Sequence, residues 1–195
     1  MKRDIILAGV GGQGIISIAA IIGTAALEQD LFLKQSEVHG MSQRGGDVQS
    51  NLRISDKEIA SDLIPYGKAD LIISVEPMEA LRYLPFLSPD GWVITSTKPY
   101  INIPEYPEMD KVMDEIRKLP HYIALDADEL AKEIGTLKVA NIVTLGAASP
   151  FLDMRYEKLE DAICSIFRNK GEDVVNKNLQ ALKAGRDFTE RQINP

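Results

Sequence analysis

The stretch Asp4-Ile-Ile-Leu-Ala-Gly-Val-Gly-Gly-Gln-Gly14 runs from a short apolar segment directly into a cluster of glycines. An apolar run such as residues 4–9 is typical of a strand buried on both faces, as in a parallel sheet. Beyond the glycines, apolar side chains recur at helical spacing over residues 14–29. The sequence therefore predicts a strand, a glycine loop and a helix in immediate succession, which is an opening unit of α/β folds.

The same alternation continues along the chain. Further strands are predicted at 31–35, 47–54, 70–75, 91–97 and 121–126, and helices at 77–84 and 108–118. From Ala127 onward the pattern is helical, with helices expected at 127–134, 139–148, 155–168 and 171–187. We therefore expect a Rossmann-like three-layer α/β/α fold with a mostly parallel sheet and a helical C-terminal third. A single domain is predicted over residues 1–195, with its C-terminal helices beginning at about residue 127.

Composition narrows the classes of function. The formal net charge is −7, from 22 basic and 29 acidic residues, which argues against non-specific binding to nucleic acid or to an anionic membrane. No stretch approaches ~20 uninterrupted apolar residues, so a soluble, cytoplasmic protein is expected. The single cysteine, Cys164, cannot form an intrachain disulfide or hold a metal cluster alone, so no metal site is predicted. Its apolar neighbours predict a core position on a helix.

The glycine loop, residues 9–14, matches the G-x-G-x-x-G pattern after a strand and before a helix. Such a loop lets the backbone approach a ligand closely, and the N-terminus of the following helix attracts anions. The side-chain amide of Gln13 could reach a ligand, cap the helix or contact another subunit. A nicotinamide site also needs an acidic residue about 20 positions later, and residues 31–35 contain none. An NAD(P)-binding module or dehydrogenase therefore stands as the alternative function, beside glycines that only permit close packing. The positions singled out in this loop are Gly9, Gly11, Gly12, Gln13 and Gly14.

A second polar segment, Ser36-Glu-Val-His-Gly-Met-Ser-Gln-Arg-Gly-Gly46, is predicted to be a loop. His39 is a candidate acid/base group because imidazole titrates near neutrality, and a structural hydrogen bond is the other interpretation. The guanidinium group of Arg44 could bind a carboxylate or phosphate through two N–H donors, or form a salt bridge with another subunit or with Glu37. His121 is interpreted as structural. The remaining candidates for cofactor or subunit contacts are Glu37, Ser42, Gln43, Glu76 and Asn141, with Glu76 at the strand edge where α/β ligands bind.

The two motifs together, GVGGQG at 9–14 and SEVHGMSQRGG at 36–46, resemble the gamma domain of 2-oxoacid:ferredoxin oxidoreductases, and within that family the small (beta) subunit of the indolepyruvate type. The run Asn141–Ala147 is similar to that family as well. So are four positions of the C-terminal helix, namely Asn178, Ala181, Leu182 and Gly185. The resemblance extends over nearly the whole chain.

This resemblance implies a role in a larger enzyme. Members decarboxylate a 2-oxoacid on thiamine diphosphate, pass two electrons through iron–sulfur clusters to ferredoxin, and transfer the acyl group to coenzyme A. It implies that the thiamine diphosphate, its magnesium and the clusters belong to a large partner subunit, and that this chain binds no cofactor alone. Its expected contribution is to the oxidative decarboxylation of an aryl 2-oxoacid to an acyl-CoA, with residues 9–14 and 36–46 facing the partner and the coenzyme A region. Ferredoxin would be reached through the partner, and the isolated chain would self-associate through its uncovered interface.

Overall fold

The computed structural model of the protein describes residues 1–40, 45–101 and 103–193, and for His39 the backbone alone. The strands are β1 (Lys2–Val10), β2 (Phe32–His39), β3 (Asp47–Ser55), β4 (Ala69–Ser74), β5 (Leu87–Ser96) and β6 (Tyr122–Leu125). The helices are α1 (Ile15–Leu27), α2 (Pro77–Arg82), α3 (Met109–Arg117), α4 (Ala127–Ile134), α5 (Ala140–Ala148), α6 (Tyr156–Phe167) and α7 (Glu172–Ile193). Short 3-10 turns lie at Leu84–Phe86, Leu137–Val139, Ser149–Phe151 and Arg168–Lys170.

The six strands form one sheet in the order β2-β3-β1-β4-β5-β6. Strands β1, β4, β5 and β6 pair in parallel, whereas β3 is antiparallel to both of its neighbours, β1 and β2. Strand β2 consequently points the same way as β1, although β3 lies between them. The prediction of a mostly parallel sheet is confirmed, and β3 is the one strand that runs in reverse.

Apolar side chains from the two faces of the sheet form separate cores, which explains the three layers. One core packs alternate residues of β1, such as Ile5 and Leu7, with α1 and the four helices α4–α7. The other core packs Ile6 and Ala8 with α2 and with the segments that flank α2 and α3. Because successive side chains of a strand point to opposite faces, a continuous apolar run such as residues 5–8 is what a doubly covered strand requires.

The C-terminal helices α5 and α7 cross with their backbones in contact. A β-carbon on Gly146 would lie 2.0 Å from the carbonyl oxygen of Leu182, and one on Gly185 would lie 1.9 Å from that of Val143. The hydroxyl of Thr189 donates a hydrogen bond of 2.9 Å to Ala147 O at the same crossing. Two of the family-like positions, Gly146 and Gly185, therefore allow a close helix–helix contact.

Three sequence-based expectations are wrong in detail. Residues 36–39 belong to strand β2 and not to a loop; their polar side chains carry no apolar alternation because β2 is an edge strand. Cys164 is exposed on α6, since the buried positions of that helix are Leu159, Ala162, Ile163 and Phe167. The helix begun by Pro77 also ends early, at Arg82, and the chain continues in a 3-10 turn that contains Pro85.

Among the described residues, no helix combines the length and apolar character needed to cross a bilayer. Nor do those residues bring three or more His, Cys, Asp or Glu side chains together in a way that could hold a metal ion.

Candidate functional site

The glycine loop lies at the carboxyl edge of the sheet, which is formed by the C-terminal ends of the parallel strands. Between β1 and β4, the connections to the next strand lead in opposite directions across the sheet. From β1 the crossover through α1 leads to one side of the sheet, whereas from β4 the crossover through α2 leads to the other side. Ligands of open α/β sheets bind in the crevice that forms at such a switch point. The fold therefore places residues 11–14 at the position where a site is expected.

Gln13 holds the glycine loop from inside. Its Oε1 accepts a hydrogen bond of 2.8 Å from the backbone N–H of Val10, and its Nε2 donates one of 3.4 Å to Val75 O. Val75 directly follows β4, and its N–H donates in turn to Ala8 O at 3.1 Å. The Gln13 amide thus links the ends of β1 and β4 and is occupied by main-chain partners.

Asn141 braces the loop from the first turn of α5. Its Nδ2 donates a hydrogen bond of 3.0 Å to Gly14 O, and a β-carbon on Gly14 would lie 2.5 Å from that same nitrogen. Gly14 has a φ of +82°, which residues with a β-carbon rarely adopt. Both this backbone conformation and the close approach of Asn141 therefore require glycine. Helix α1 starts here without a side-chain cap, which leaves its first N–H groups for other partners.

The structure brings the two N-terminal motifs together. The N–H of Gly11 donates to Gly46 O at 2.8 Å, and the N–H of Gly45 donates to Gly11 O at 3.3 Å. The polar segment is also closed at its base, because Gly40 N–H donates to Asp47 O at 3.3 Å. Of the predicted residues in this segment, Ser42, Gln43 and Arg44 lie outside the described residues, and the backbone of His39 pairs with Val48 at the end of β2.

A cavity of about 770 Å³ opens on one side of the glycine loop, between the ends of β4 and β5 and the helices α4, α5 and α7. Gly12, Gln13, Gly14, Ser17 and Asn141 line it on the loop side. Its other polar lining residues are Ser96, Asp128, Thr136, Lys138, Thr144, Lys170, Asp173, Lys177 and Asn178.

The lining of this cavity carries a small positive charge, because its three lysines outnumber its two aspartates, Asp128 and Asp173. Lys177 is paired with Asp173 at 2.7 Å, but Lys138 and Lys170 form no ion pair with any described carboxylate. Lys170 instead lies 5.2 Å from the ring centroid of Phe167, in a cation–π contact. In a chain of net charge −7, unpaired lysines beside an uncapped helix start favour an anionic ligand.

A second cavity of about 750 Å³ lies on the other side of the loop, between α1 and the ends of β2 and β3. Gly11, Gly12, Ile16, Glu37 and Gly40 are among its lining residues. Glu37 therefore lies near the glycine loop as the two motifs imply. Gly9 does not lie in the loop itself but in β1, where it pairs with Val48 of β3.

Glu76 is buried and serves the backbone. It caps α2, its Oε2 accepting a hydrogen bond of 2.8 Å from Glu79 N–H, and its Oε1 accepts from Tyr100 N–H at 3.3 Å. The Tyr106 hydroxyl also donates to Oε1 in a short hydrogen bond. Burial, together with that bond to Glu76, raises the pKa of Tyr106. The carboxylate thus fastens the proline-bearing segment 99–107 to the carboxyl edge beside the first cavity.

The neighbouring Glu79 is equally enclosed, and burial raises the pKa of its carboxyl group above 4.5 while the adjacent Arg82 opposes that rise. Nothing in the sequence distinguishes Lys138, Lys170, Tyr83 or Tyr106, since each of these residues lies in an ordinary polar or amphipathic context. Only the positions of their elements around the carboxyl edge identify them. His121 is stacked on Trp92, with ring centroids 5.1 Å apart, at the opposite end of the sheet.

Proteins of known identity resemble this chain along its length. An indolepyruvate oxidoreductase subunit, IorB, of Archaeoglobus fulgidus is 38% identical over 194 residues, which cover 95% of this chain and 94% of the relative. The IorB subunit of Methanothermobacter thermautotrophicus is 38% identical over 192 residues, covering 95% and 96%. The pyruvate/ketoisovalerate oxidoreductases common subunit gamma of Pyrococcus furiosus is 27% identical over 93% of this chain and 94% of its own length.

Solved structures agree on the fold. The gamma subunit of a keto/oxoacid ferredoxin oxidoreductase from Geobacter sulfurreducens superposes with a TM-score of 0.71 at 25% identity, over 97% of this chain and 99% of that one. The 2-oxoglutarate:ferredoxin oxidoreductase of Magnetococcus marinus, solved with 2-oxoglutarate, coenzyme A and succinyl-CoA bound, gives a TM-score of 0.77 at 21% identity. The superposition covers 97% of this chain but only 31% of that longer chain. Residues 4–188 match the family described as pyruvate ferredoxin/flavodoxin oxidoreductase, and the protein belongs to that family of oxidoreductase subunits.

Proposed function

We propose that this chain is the small, gamma-type subunit of an indolepyruvate-type 2-oxoacid:ferredoxin oxidoreductase, folded as a single domain. Its partner would be a large subunit that carries thiamine diphosphate, magnesium and iron–sulfur clusters, and ferredoxin would dock on that partner. The observation that carries the proposal is the direct backbone pairing of the glycine loop with Gly45 and Gly46, which joins the two motifs of the resemblance into one surface.

The chain's own residues would build a wall of the active site. The glycine loop is fixed before any ligand arrives, because Gln13 and Asn141 hold it from two sides. A preorganised backbone loses little entropy when it binds, so it can present N–H groups to a ligand at low cost. His39 and Arg44 are proposed to contribute from the adjoining segment, His39 by holding or moving a proton and Arg44 by pairing with an anionic group.

We further propose that the first cavity receives the phosphate-bearing part of coenzyme A as co-substrate. Lys138 and Lys170 would neutralise part of its charge, and the start of α1 would supply further favourable potential. When thiamine diphosphate is bound in the partner, it supplies the carbanion stabilisation that decarboxylation needs, while this chain positions the acceptor and excludes water.

A nicotinamide site is disfavoured by the strand order. In dinucleotide-binding folds the acidic residue that binds the ribose ends the strand next to the glycine-loop strand. Here β3 intervenes, and neighbouring strands lie roughly 4.8 Å apart, so Glu37 on β2 is displaced by a further strand spacing.

The test is reconstitution of the chain with its large subunit. We expect ferredoxin reduction that requires both chains, coenzyme A and a 2-oxoacid, with indolepyruvate preferred over pyruvate and 2-oxoglutarate. The pair K138A and K170A should raise KM for coenzyme A and leave KM for the 2-oxoacid unchanged. Lys68 is an exposed lysine at the opposite edge of the sheet, so K68A is the matched control. Activity of the large subunit alone at the full rate, or nicotinamide binding by the isolated chain in calorimetry, would refute the proposal.

A further inference from the structure

We infer that one elongated ligand site crosses the glycine loop, and that the thiol-bearing arm of coenzyme A passes over Gly12 into the second cavity. The inference deepens the proposed function, on which it rests, because that function assigns a place only to the phosphate-bearing part of coenzyme A. The arm is an uncharged chain with two amides and a pair of methyl groups, and it ends in the thiol that accepts the acyl group.

The two cavities meet over the glycine loop. Gly12, Gly14 and Ser17 line both of them, the first of about 770 Å³ and the second of about 750 Å³. Gly12 is exposed and has a φ of +104°, and a β-carbon on it would meet nothing within 4 Å beyond its own chain neighbours. The crest of the loop is therefore bare backbone, so a ligand that passes from one cavity to the other meets no side chain at Gly12.

The linings of the two cavities match the two ends of coenzyme A. The first cavity carries more lysines than aspartates, which suits phosphate groups. The second has apolar walls, formed by Val10, Ile15, Ile16 and Val48, and Glu37 is the one charged residue among its described lining residues. A carboxylate repels phosphate, whereas apolar walls accept the methyl groups and methylenes of the arm. The charges therefore orient the ligand, with its phosphates in the first cavity and its thiol in the second.

Ser17 supplies a polar group at this crossing. It lies in the first turn of α1, where its backbone N–H donates to Gly14 O at 3.0 Å. The residue is half-buried, and within the described part of the chain its hydroxyl has no hydrogen-bond partner. A hydroxyl both donates and accepts, so it can bind the carbonyl oxygen or the N–H of an amide in the arm. Ser17 is therefore a binding residue of this site.

Helix α1 offers matched controls for two kinds of variant. Thr24 carries a second hydroxyl, about two helical turns beyond Ser17, and lines neither cavity. Ile16 and Leu27 are exposed to nearly the same extent, 62% and 61%, but of these two only Ile16 lines the second cavity. Ser17→Ala and Thr24→Ala each remove one hydroxyl from the helix, and Ile16→Cys and Leu27→Cys each place one thiol on its surface.

The first measurement compares coenzyme A with its nucleotide fragment, adenosine 3′,5′-bisphosphate, in the reconstituted complex. Ser17→Ala should raise KM for coenzyme A roughly threefold to tenfold, the effect of one lost hydrogen bond, and leave the inhibition constant of the fragment unchanged. The pair K138A and K170A should raise both constants, and Thr24→Ala should raise neither. An unchanged KM for coenzyme A in Ser17→Ala, or an equal rise in both constants, would overturn the inference.

The second measurement locates the thiol end on the full chain alone, without catalysis. In a Cys164→Ser background, the thiolate of Ile16→Cys attacks one sulfur of coenzyme A disulfide, forms a mixed disulfide and releases one coenzyme A thiolate. Rates are divided by those for a small neutral disulfide, because a helix N-terminus lowers the pKa of a thiol. The corrected rate should be higher for Ile16→Cys than for Leu27→Cys, and adenosine bisphosphate should slow only the former. Equal corrected rates would contradict the inference.

The failure of the inference is distinguishable from that of the proposed function. If the wild-type complex does not oxidise a 2-oxoacid with coenzyme A, the proposed function fails, while the disulfide exchange still decides whether the second cavity receives the arm. If the complex is active but both thiols react alike, the proposed function stands and the inference fails.

Discussion

At the scale of single residues, two amide side chains keep the glycine loop in place. Gln13 joins the loop to the end of β4, and Asn141 joins it to α5, so three elements converge on a few glycines. Both amides bind main-chain atoms, which have the same chemistry whatever the neighbouring side chains are. The loop is therefore stiffened by contacts that leave its outer surface free for a ligand.

We predict that Asn141→Ala lowers the free energy of unfolding by about 1 kcal/mol, the usual loss for one partly buried hydrogen bond. It should also weaken coenzyme A binding in the complex, because Gly14 loses its brace. Urea unfolding followed by circular dichroism measures the first effect. Asn176→Ala, at an exposed position of α7, is the control and should change little. A larger loss in the control would contradict this account of Asn141.

Tyr106→Phe tests whether the hydrogen bond between Tyr106 and Glu76 holds the segment 99–107 against the sheet. Removing the hydroxyl leaves a carboxylate that is 1% exposed without one of its donors, and such a loss costs about 1–3 kcal/mol. Chymotrypsin should consequently cleave within residues 99–107 faster than in the wild type. Tyr100 offers Glu76 only its backbone N–H, so Tyr100→Phe should behave as wild type. Equal cleavage of the two variants would show that the hydroxyl does not hold the segment.

The sequence predicts which residues lie at the ends of strands, but it does not predict the contacts of their side chains. The sequence presents Glu76 and Gln13 as candidates for contacts with a cofactor or a partner, whereas in the structure their side chains bind backbone groups. Spacing along the chain can place a residue at a strand end, but the direction of a side chain depends on elements that are distant in sequence. Tyr83 and Asp47, 36 residues apart and joined by a hydrogen bond of 3.3 Å between their side chains, illustrate this limit.

At the scale of secondary structure, most helices and strands follow from the period of their apolar residues. Strand β2 is the informative exception, because its second half, SEVH, is mostly polar and its sequence predicts a loop. An edge strand pairs on one side only and needs no apolar alternation to be stable, since hydrogen bonding to β3 continues through residue 39. The C-terminal end of β2 is therefore determined by its pairing with β3, which cannot be read from the sequence.

The crossing of α5 and α7 gives the largest expected change in stability. Gly146→Ala would place a methyl carbon 2.0 Å from Leu182 O, a contact that only a shift of one helix can relieve. We expect a loss of about 3 kcal/mol or more in the free energy of unfolding. Thermal unfolding measures it, and Gln180→Ala on the exposed side of α7 should lie within about 0.5 kcal/mol of wild type. Unchanged stability of Gly146→Ala would mean that the helices do not cross this closely.

At the scale of the whole molecule, seven large apolar side chains of the described residues are more than half exposed, and four of them lie on segments that reach the carboxyl edge of the sheet. Ile16 on α1, Val38 on β2, Ile101 after β5 and Leu137 before α5 are each more than half exposed. Water-exposed apolar side chains that cluster around a candidate site are typical of surfaces that a partner covers. This distribution supports the proposal that the chain works inside a complex.

We therefore predict that the isolated chain self-associates at micromolar concentration and that the large subunit abolishes this association. Sedimentation velocity over a range of concentrations provides the measurement. The double variant Ile16→Ser, Ile101→Ser should shift the isolated chain toward monomer, whereas Leu27→Ser, at the far end of α1, should not. A monomer at every concentration in the wild type would contradict the prediction.

The position of β1 also bears on how the protein is made. Of the six strands of this sheet, β1 is synthesised first although it lies in the middle of the sheet, and its neighbours, β3 and β4, begin only at Asp47 and Ala69. Until those strands emerge, the apolar segment Ile5–Ala8 has no partner to pair with, and unpaired apolar strands are prone to aggregate. Nascent chains that stall before Ser74 should therefore depend on a chaperone, whereas longer ones can bury this segment on both sides.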